Sequence, residues 1–229
     1  DWGTSSFRAY LIQKNEVSDT IETNDGMKFV KNHLFEKTLV NLIECWLSKD
    51  YTTEILASGM VGSKHGWAEA PYEQIPNNLK SLNYIMPSLK DSRISLKIFS
   101  GLYQINQPDV MRGEETQIAG FLNQNPNFNG SICLPGTHSK WVEIRNNNII
   151  KFKTFMTGEL FEIISKNSVL IHSVKAEKID NIEMLKSVNK IFQKPELFSN
   201  ALFQLRADDL INSKAPSIYK SKLSGYLLA

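Results

Sequence analysis

Cysteine is almost absent from this sequence: Cys45 and Cys133 are the two in 229 residues, and neither belongs to a CxxC pair or to a Cys/His ligand spacing. Nothing here argues for zinc, and the apolar neighbours of both residues lead to the expectation of buried free thiols in a reducing compartment. Long apolar runs are also missing. No segment approaches the roughly 18 to 20 residues of a membrane span, and no charged-then-apolar leader begins the chain, so a cytoplasmic protein is expected. An excess of one charge is lacking too. With 26 basic and 24 acidic side chains, no bulk field draws the chain toward nucleic acid or anionic lipid, and a small molecule is the expected partner. Neither GxxxxGK[ST] nor GxGxxG occurs, which disfavours P-loop and dinucleotide-binding folds.

What is present is an ordinary globular composition, 41% hydrophobic and 22% charged, in a chain longer than the usual single domain. Two lobes are expected, residues 1–125 and 126–229. In the first, FRAYLI alternates like a strand, and the polar stretch 14–24, with Val17 and Ile21, can supply its hairpin partner. Residues 29–48 place Phe29, Leu34, Phe35, Leu39, Leu42, Ile43 and Trp46 at helical spacing. EILASGMVG reads as a buried strand entering a Gly-rich loop, KHGWAEAPYEQIPNN as an aromatic excursion suited to ligand contacts, and ISLKIFSGLYQI as strand-like. The order strand, Gly-Thr turn, strand, strand, helix then recurs in SICLPGTHSKWVEIRNNNIIKFKTFM and the helix expected over 158–165. Helices are expected around 181–192 and 195–212, and another beginning near LSGYLLA, where the chain looks cut; a strand before Asp1 is likewise expected to be missing.

Two short turns carry the chemistry. In DWGTSSFR, Gly3 allows a close backbone approach, Thr4 and Ser5 offer hydroxyls and amides, Asp1 can hold a hydrated Mg²⁺, and Arg8 can meet phosphate or an acid. PGTHSK repeats the Gly-Thr pair as Gly136 and Thr137 and adds His138, Ser139 and Lys140. Two such turns can hold nucleotide phosphates with amides, hydroxyls and a metal, and phosphoryl transfer is largely positioning and electrostatic stabilisation. A base for the accepting hydroxyl is then required. RGEETQIAGF offers Glu114 and Glu115 at a helix start, where both also suit the helix dipole.

Together, DWGTSSFRAYL, ASGMVGSKHGWAEAPY, VMRGEETQIAG, LPGTHSKWVEI and FMTGELFEII resemble the 2-dehydro-3-deoxygalactonokinase family, in the sugar-kinase branch of the actin-like ATPases. The resemblance implies an α/β fold of two ribonuclease-H-like lobes around a cleft, the second incomplete in this chain. It implies ATP- and Mg²⁺-dependent phosphorylation of the 6-hydroxyl of 2-dehydro-3-deoxy-D-galactonate, a step of galactonate breakdown. By position, Asp1, Gly3, Thr4 and Ser5 match the first phosphate motif, Gly136, Thr137 and His138 the second, and Glu114 the place of the base, in preference to Glu115. Trp67 and Tyr72 are candidates to pack on the sugar chain. Arg112, ahead of Lys64, is the candidate to meet the substrate carboxylate, because a planar guanidinium fork suits it. Another sugar or sugar acid as acceptor, or a non-catalytic actin-like nucleotide-binding module, are the alternatives.

Overall fold

The computed structural model describes residues 1–80 and 82–229, with the side chain of residue 32 outside the description. Among the described residues the architecture is mixed α/β, with several small sheets and six α-helices. The chain divides into two compact units, Asp1–Ile132 with Trp141–Lys153, and Cys133–Lys140 with Thr154–Ala229.

In the first unit, β1 (Phe7–Gln13) and β2 (Glu16–Thr23) form an antiparallel hairpin. Lys14 and Asn15 turn it with φ of 52° and 65°, the paired left-handed geometry that matches strand twist. Helix α1 covers Phe35–Ile43, shorter than its periodicity predicts. His33 has φ of 54° and Val30 is extended, so the stretch before α1 is two three-residue 3₁₀ turns, and Phe29 and Leu34 stay exposed. Phe35, Leu39 and Ile43, four residues apart, face the core.

β3 (Thr53–Ala57) runs parallel to β6 (Ile94–Phe99), which pairs antiparallel with β5 (Tyr84–Ile85). A second sheet places β4 (Tyr72–Gln74) parallel to β7 (Gly101–Gln104), with β8 (Asp109–Met111) antiparallel on the other side. ISLKIFSGLYQI is therefore two strands in two sheets, parted at Ser100. β3 alternates between half-buried and exposed positions and is not the fully buried strand expected. Ile94, Leu96 and Ile98 of β6 close a core with Trp2, Phe7, Phe35, Leu39, Ile43 and Val61. Helix α2 (Glu114–Gln124) follows β8 and buries Glu115, Ile118 and Leu122.

β9 (Gly130–Leu134), β10 (Ser139–Arg145) and β11 (Asn148–Phe155) form a third sheet in the order β11-β10-β9, with Asn146 and Asn147 at φ of 50° and 60° between the last two strands. Helix α3 (Thr157–Asn167) comes next, so the order turn, strand, strand, helix does recur along the chain. In the second unit, α4 (Asn181–Gln193), α5 (Phe198–Asn212) and α6 (Pro216–Leu228) surround a core of Leu170, Val174, Ile191, Leu205, Tyr219 and Leu223. α4 starts on Asp180, whose carboxylate accepts the N–H groups of Ile182 and Glu183, an N-cap that satisfies two otherwise unpaired donors. LSGYLLA is the end of α6, which begins at Pro216, a residue suited to a first helical position.

Both cysteines are exposed, contrary to expectation. Cys133 lies on the outward side of β9, between half-buried Ile132 and Leu134, and Cys45 falls in the 3₁₀ turn after α1, beyond its last buried residue.

Candidate active site

The first turn folds on itself and on its neighbours within the first unit. The Gly3 N–H donates to Ser6 O at 2.9 Å, while Gly3 O and Thr4 O accept the N–H groups of Met27 and Lys28 at 2.9 and 3.1 Å. Trp2 anchors the turn: its N–H donates to Ser58 O, its carbonyl accepts from Val61, and its indole packs on Phe7, Phe35 and Trp67. Arg8 lies 3.8 Å from an Asp1 carboxylate oxygen and 3.5 Å from Glu22, both exposed pairs of small energetic weight.

The loop after β3 brings this turn to the start of α2. Gly59 adopts φ of 97°, and a Cβ there would stand 2.9 Å from Trp2 O and 3.2 Å from Asp1 Oδ1. Gly113, at φ of 110°, lies against Gly59, since its own Cβ would come 3.2 Å from Gly59 Cα. Thr116 Oγ1 donates to Gly113 O at 2.7 Å and lies 3.2 Å from Ser58 Oγ. Asp1, the 58–62 loop and the Glu114–Glu115 pair are thus linked through backbone contacts. Ser58, Gly59, Gly113 and Thr116 were not singled out by sequence reasoning. ASGMVG and RGEETQ do contain them, but nothing in a linear motif says that the two meet.

The two glutamates are unlike. Glu115 is fully buried, and both its carboxylate oxygens accept the Gly113 N–H, at 2.8 and 2.7 Å. Burial pushes its carboxyl up to about 7, against the smaller opposing effect of the N–H bonds. Glu114 is half-buried, and its Oε2 accepts the Arg112 N–H at 3.1 Å.

A raised folded pKa means the folded protein holds the Glu115 proton more tightly than the unfolded chain does. That stabilisation is fully present below about 4.5 and is lost as pH rises through about 7. The difference corresponds to roughly 3 kcal/mol of pH-dependent stability. Glu115→Gln should therefore flatten the melting temperature between pH 5 and 8 relative to wild type. Parallel melting curves for the two proteins across that range would count against a buried, titrating Glu115.

Arg112 is buried, its guanidinium 4.1 Å above the Tyr72 ring, and Nη2 donates to Ala70 O at 2.7 Å. Nε and Nη1 have no hydrogen-bond partner among the described residues. Trp67 stacks on Phe35 at 6.1 Å and belongs to the margin of the core. It also lines an open cleft of about 600 Å³ with Leu34, Lys37 and Lys90, whose walls include neither Tyr72 nor Arg112. Tyr72 and Arg112 are therefore brought together, Trp67 faces elsewhere, and Lys64 stands exposed on the segment between β3 and β4.

In the second unit, the Gly136 N–H donates to Ser139 Oγ at 3.3 Å, and Thr137 O accepts the Glu159 N–H at 3.1 Å. His138 Nε2 is hydrogen bonded to the Glu159 carboxylate. Lys140 is buried, with Nζ 2.8 Å from Thr154 Oγ1. Glu159 is a further residue that sequence reasoning did not single out, although the motif FMTGELFEII contains it.

A solved structure described as a putative 2-dehydro-3-deoxygalactonokinase from Sinorhizobium meliloti superposes with a TM-score of 0.91 at 33% identity, over 99% of this chain and 76% of its own. Amino-acid comparison agrees. A probable 2-dehydro-3-deoxygalactonokinase of Rhizobium meliloti (strain 1021) is 34% identical, and the 2-dehydro-3-deoxygalactonokinase of Escherichia coli (strain K12) is 27% identical; each match covers all of this chain and 76% of the relative. A family model described as 2-keto-3-deoxy-galactonokinase matches residues 1–229. The fold and the relatives thus define a carbohydrate kinase. The chain belongs to the 2-keto-3-deoxy-galactonokinase family.

Proposed function

We propose that this chain transfers the γ-phosphoryl group of ATP to the 6-hydroxyl of 2-dehydro-3-deoxy-D-galactonate, in the cytoplasm, as a step of galactonate catabolism. The observation that carries the mechanism is the packing of Gly113 on Gly59 beside Asp1, which ties a half-buried carboxylate, Glu114, to the first Gly-Thr turn. Glu114 is the general base that takes the proton from the accepting hydroxyl as the O–P bond forms and ADP leaves. Glu115 supports that assignment by exclusion: it is closed off from solvent, and both its oxygens are engaged by Gly113. Its part is to shape the turn that presents Glu114.

Gly3, Thr4 and Ser5, together with Gly136, Thr137 and His138, bind the nucleotide phosphates, in a two-lobed actin-like ATPase fold. A buried guanidinium with two nitrogens unpartnered among the described residues supports Arg112 over exposed Lys64 as the group that receives the substrate carboxylate, since an unmet buried donor costs about 1 to 3 kcal/mol. Tyr72 holds that guanidinium from below, and Trp67 is left with a packing role or a contact at the far end of the sugar.

Mg²⁺ fits the residues present. Asp1 offers an exposed hard oxygen ligand, and the absent side chain of Gly59 leaves room 3.2 Å from its Oδ1. One carboxylate plus substrate phosphates is the usual donor set of this ion, which lowers the charge on the phosphates when bound. Asp1→Asn should shift the Mg²⁺ titration of activity to higher concentration by about tenfold, the effect of roughly 1.4 kcal/mol of lost ligation. An unchanged titration would remove Asp1 from the metal site.

The proposed acceptor is tested by presenting the purified full-length enzyme with 2-dehydro-3-deoxygalactonate and a panel of other hexonates and sugars. Phosphorylation at the 6-position of that acid alone is the expected result. Turnover of another acceptor with 2-dehydro-3-deoxygalactonate inert would refute it.

A further inference from the structure

The second Gly-Thr turn and the start of α3 are joined by contacts of three kinds. The Glu159 N–H donates to Thr137 O at 3.1 Å, and the Glu159 carboxylate hydrogen bonds His138 Nε2. Gly158 completes the brace: a Cβ there would stand 2.8 Å from Gly136 O and 2.9 Å from Thr137 Cα, closer than real Cβ atoms come. Every residue of the turn proposed to meet phosphate is thus held from behind by residues 158 and 159.

We infer that Glu159 is a positioning residue for the kinase reaction, accepting the Nε2–H of the His138 ring so that the ring, in its doubly protonated form, presents Nδ1–H as a donor to the nucleotide phosphates. The inference rests on the phosphate role proposed for residues 136–138. The imidazole and the carboxylate are 48% and 38% exposed, so in water the pair adds little to folding. Its effect lies in binding. An unheld imidazole on an exposed turn samples several rotamers, and ordering it when ATP arrives would cost affinity; Glu159 has ordered it beforehand. The carboxylate's own repulsion of phosphate is offset by its place in the first turn of α3, where the helix N-terminus favours a negative charge.

The test compares wild type, Glu159→Ala, Glu159→Gln, His138→Ala and the His138→Ala/Glu159→Ala double variant by steady-state kinetics and thermal melting of the full-length enzyme. Glu159→Ala should raise KM for ATP by about five- to tenfold, the usual scale for one pre-ordered side chain, with kcat and KM for the sugar acid within about twofold. Its melting temperature should stay within about 2 °C of wild type. Glu159→Gln retains an acceptor for the Nε2–H and should restore KM to within about twofold. On the His138→Ala background, Glu159→Ala should add nothing. Independent, additive losses in the double variant, or a lowered melting temperature with KM for ATP unchanged, would overturn the positioning role alone. An unchanged KM for ATP in His138→Ala would remove the phosphate role beneath it.

Discussion

Replacing Glu114 with Gln lowers kcat by at least about 100-fold while leaving ATP affinity unchanged, because a positioned general base contributes roughly 10²- to 10⁴-fold and an amide cannot accept the proton. The substitution is nearly isosteric and keeps an oxygen to accept the Arg112 N–H, so the 112–116 turn should survive it. Melting curves establish that separately from the kinetics. Glu115→Gln supplies the contrast. It removes a buried ionisable group with both oxygens on Gly113, and its signature is the flattened pH dependence of stability. If Glu114→Gln turned over at near-wild-type rate, the base would have to be sought elsewhere.

Gly26→Ala should damage the first turn more than any other single methyl group. A Cβ at residue 26 would fall 2.2 Å from Ser5 C and 2.4 Å from both Ser5 Cα and Ser6 N. All three are backbone atoms, so no side-chain rotation relieves the clash; the 3–6 turn or the 26–28 segment must move, and with it the bonds from Met27 and Lys28 to Gly3 and Thr4. Overpacking of this kind costs about 1 to 3 kcal/mol, which in a protein of this size lowers the melting temperature by roughly 2 to 12 °C. Below that lowered transition, KM for ATP should still rise by about tenfold, equivalent to a lost charge-assisted contact. A folded Gly26→Ala enzyme with normal KM for ATP would show that residues 3–5 do not hold the nucleotide.

Legibility in the sequence followed the range of the interactions involved. The β1–β2 hairpin, the start of α2 at Glu114, and α4 and α5 were readable because alternation, an acidic first turn and helical spacing are local signals. The shortening of α1 was not. Phe29 and Leu34 satisfy the helical period, yet the backbone reverses at His33 and leaves both exposed. The parting of β6 from β7 was hidden for a related reason: the run is uniformly strand-like, and only its neighbours, β3 and β5 on one side, β4 and β8 on the other, send the halves to different sheets. At the candidate site, the two turns and the glutamate pair stood out by composition. Gly26, Gly59 and Gly158 did not, because each matters through a close approach to backbone 20 to 60 residues away in the chain, which a linear motif does not record. The unequal burial of Glu114 and Glu115 was likewise invisible, since both suit a helix N-terminus and only the family resemblance put Glu114 ahead.

The most direct measurement is amide hydrogen exchange of the full-length enzyme with and without a non-hydrolysable ATP analogue and Mg²⁺. Slowed exchange at residues 3–6 and at residues 136–139 together, reversed by washing out the nucleotide, is the predicted result. Protection confined to one of these segments, or to neither, while the analogue is bound would contradict the assignment of both Gly-Thr turns to the nucleotide phosphates.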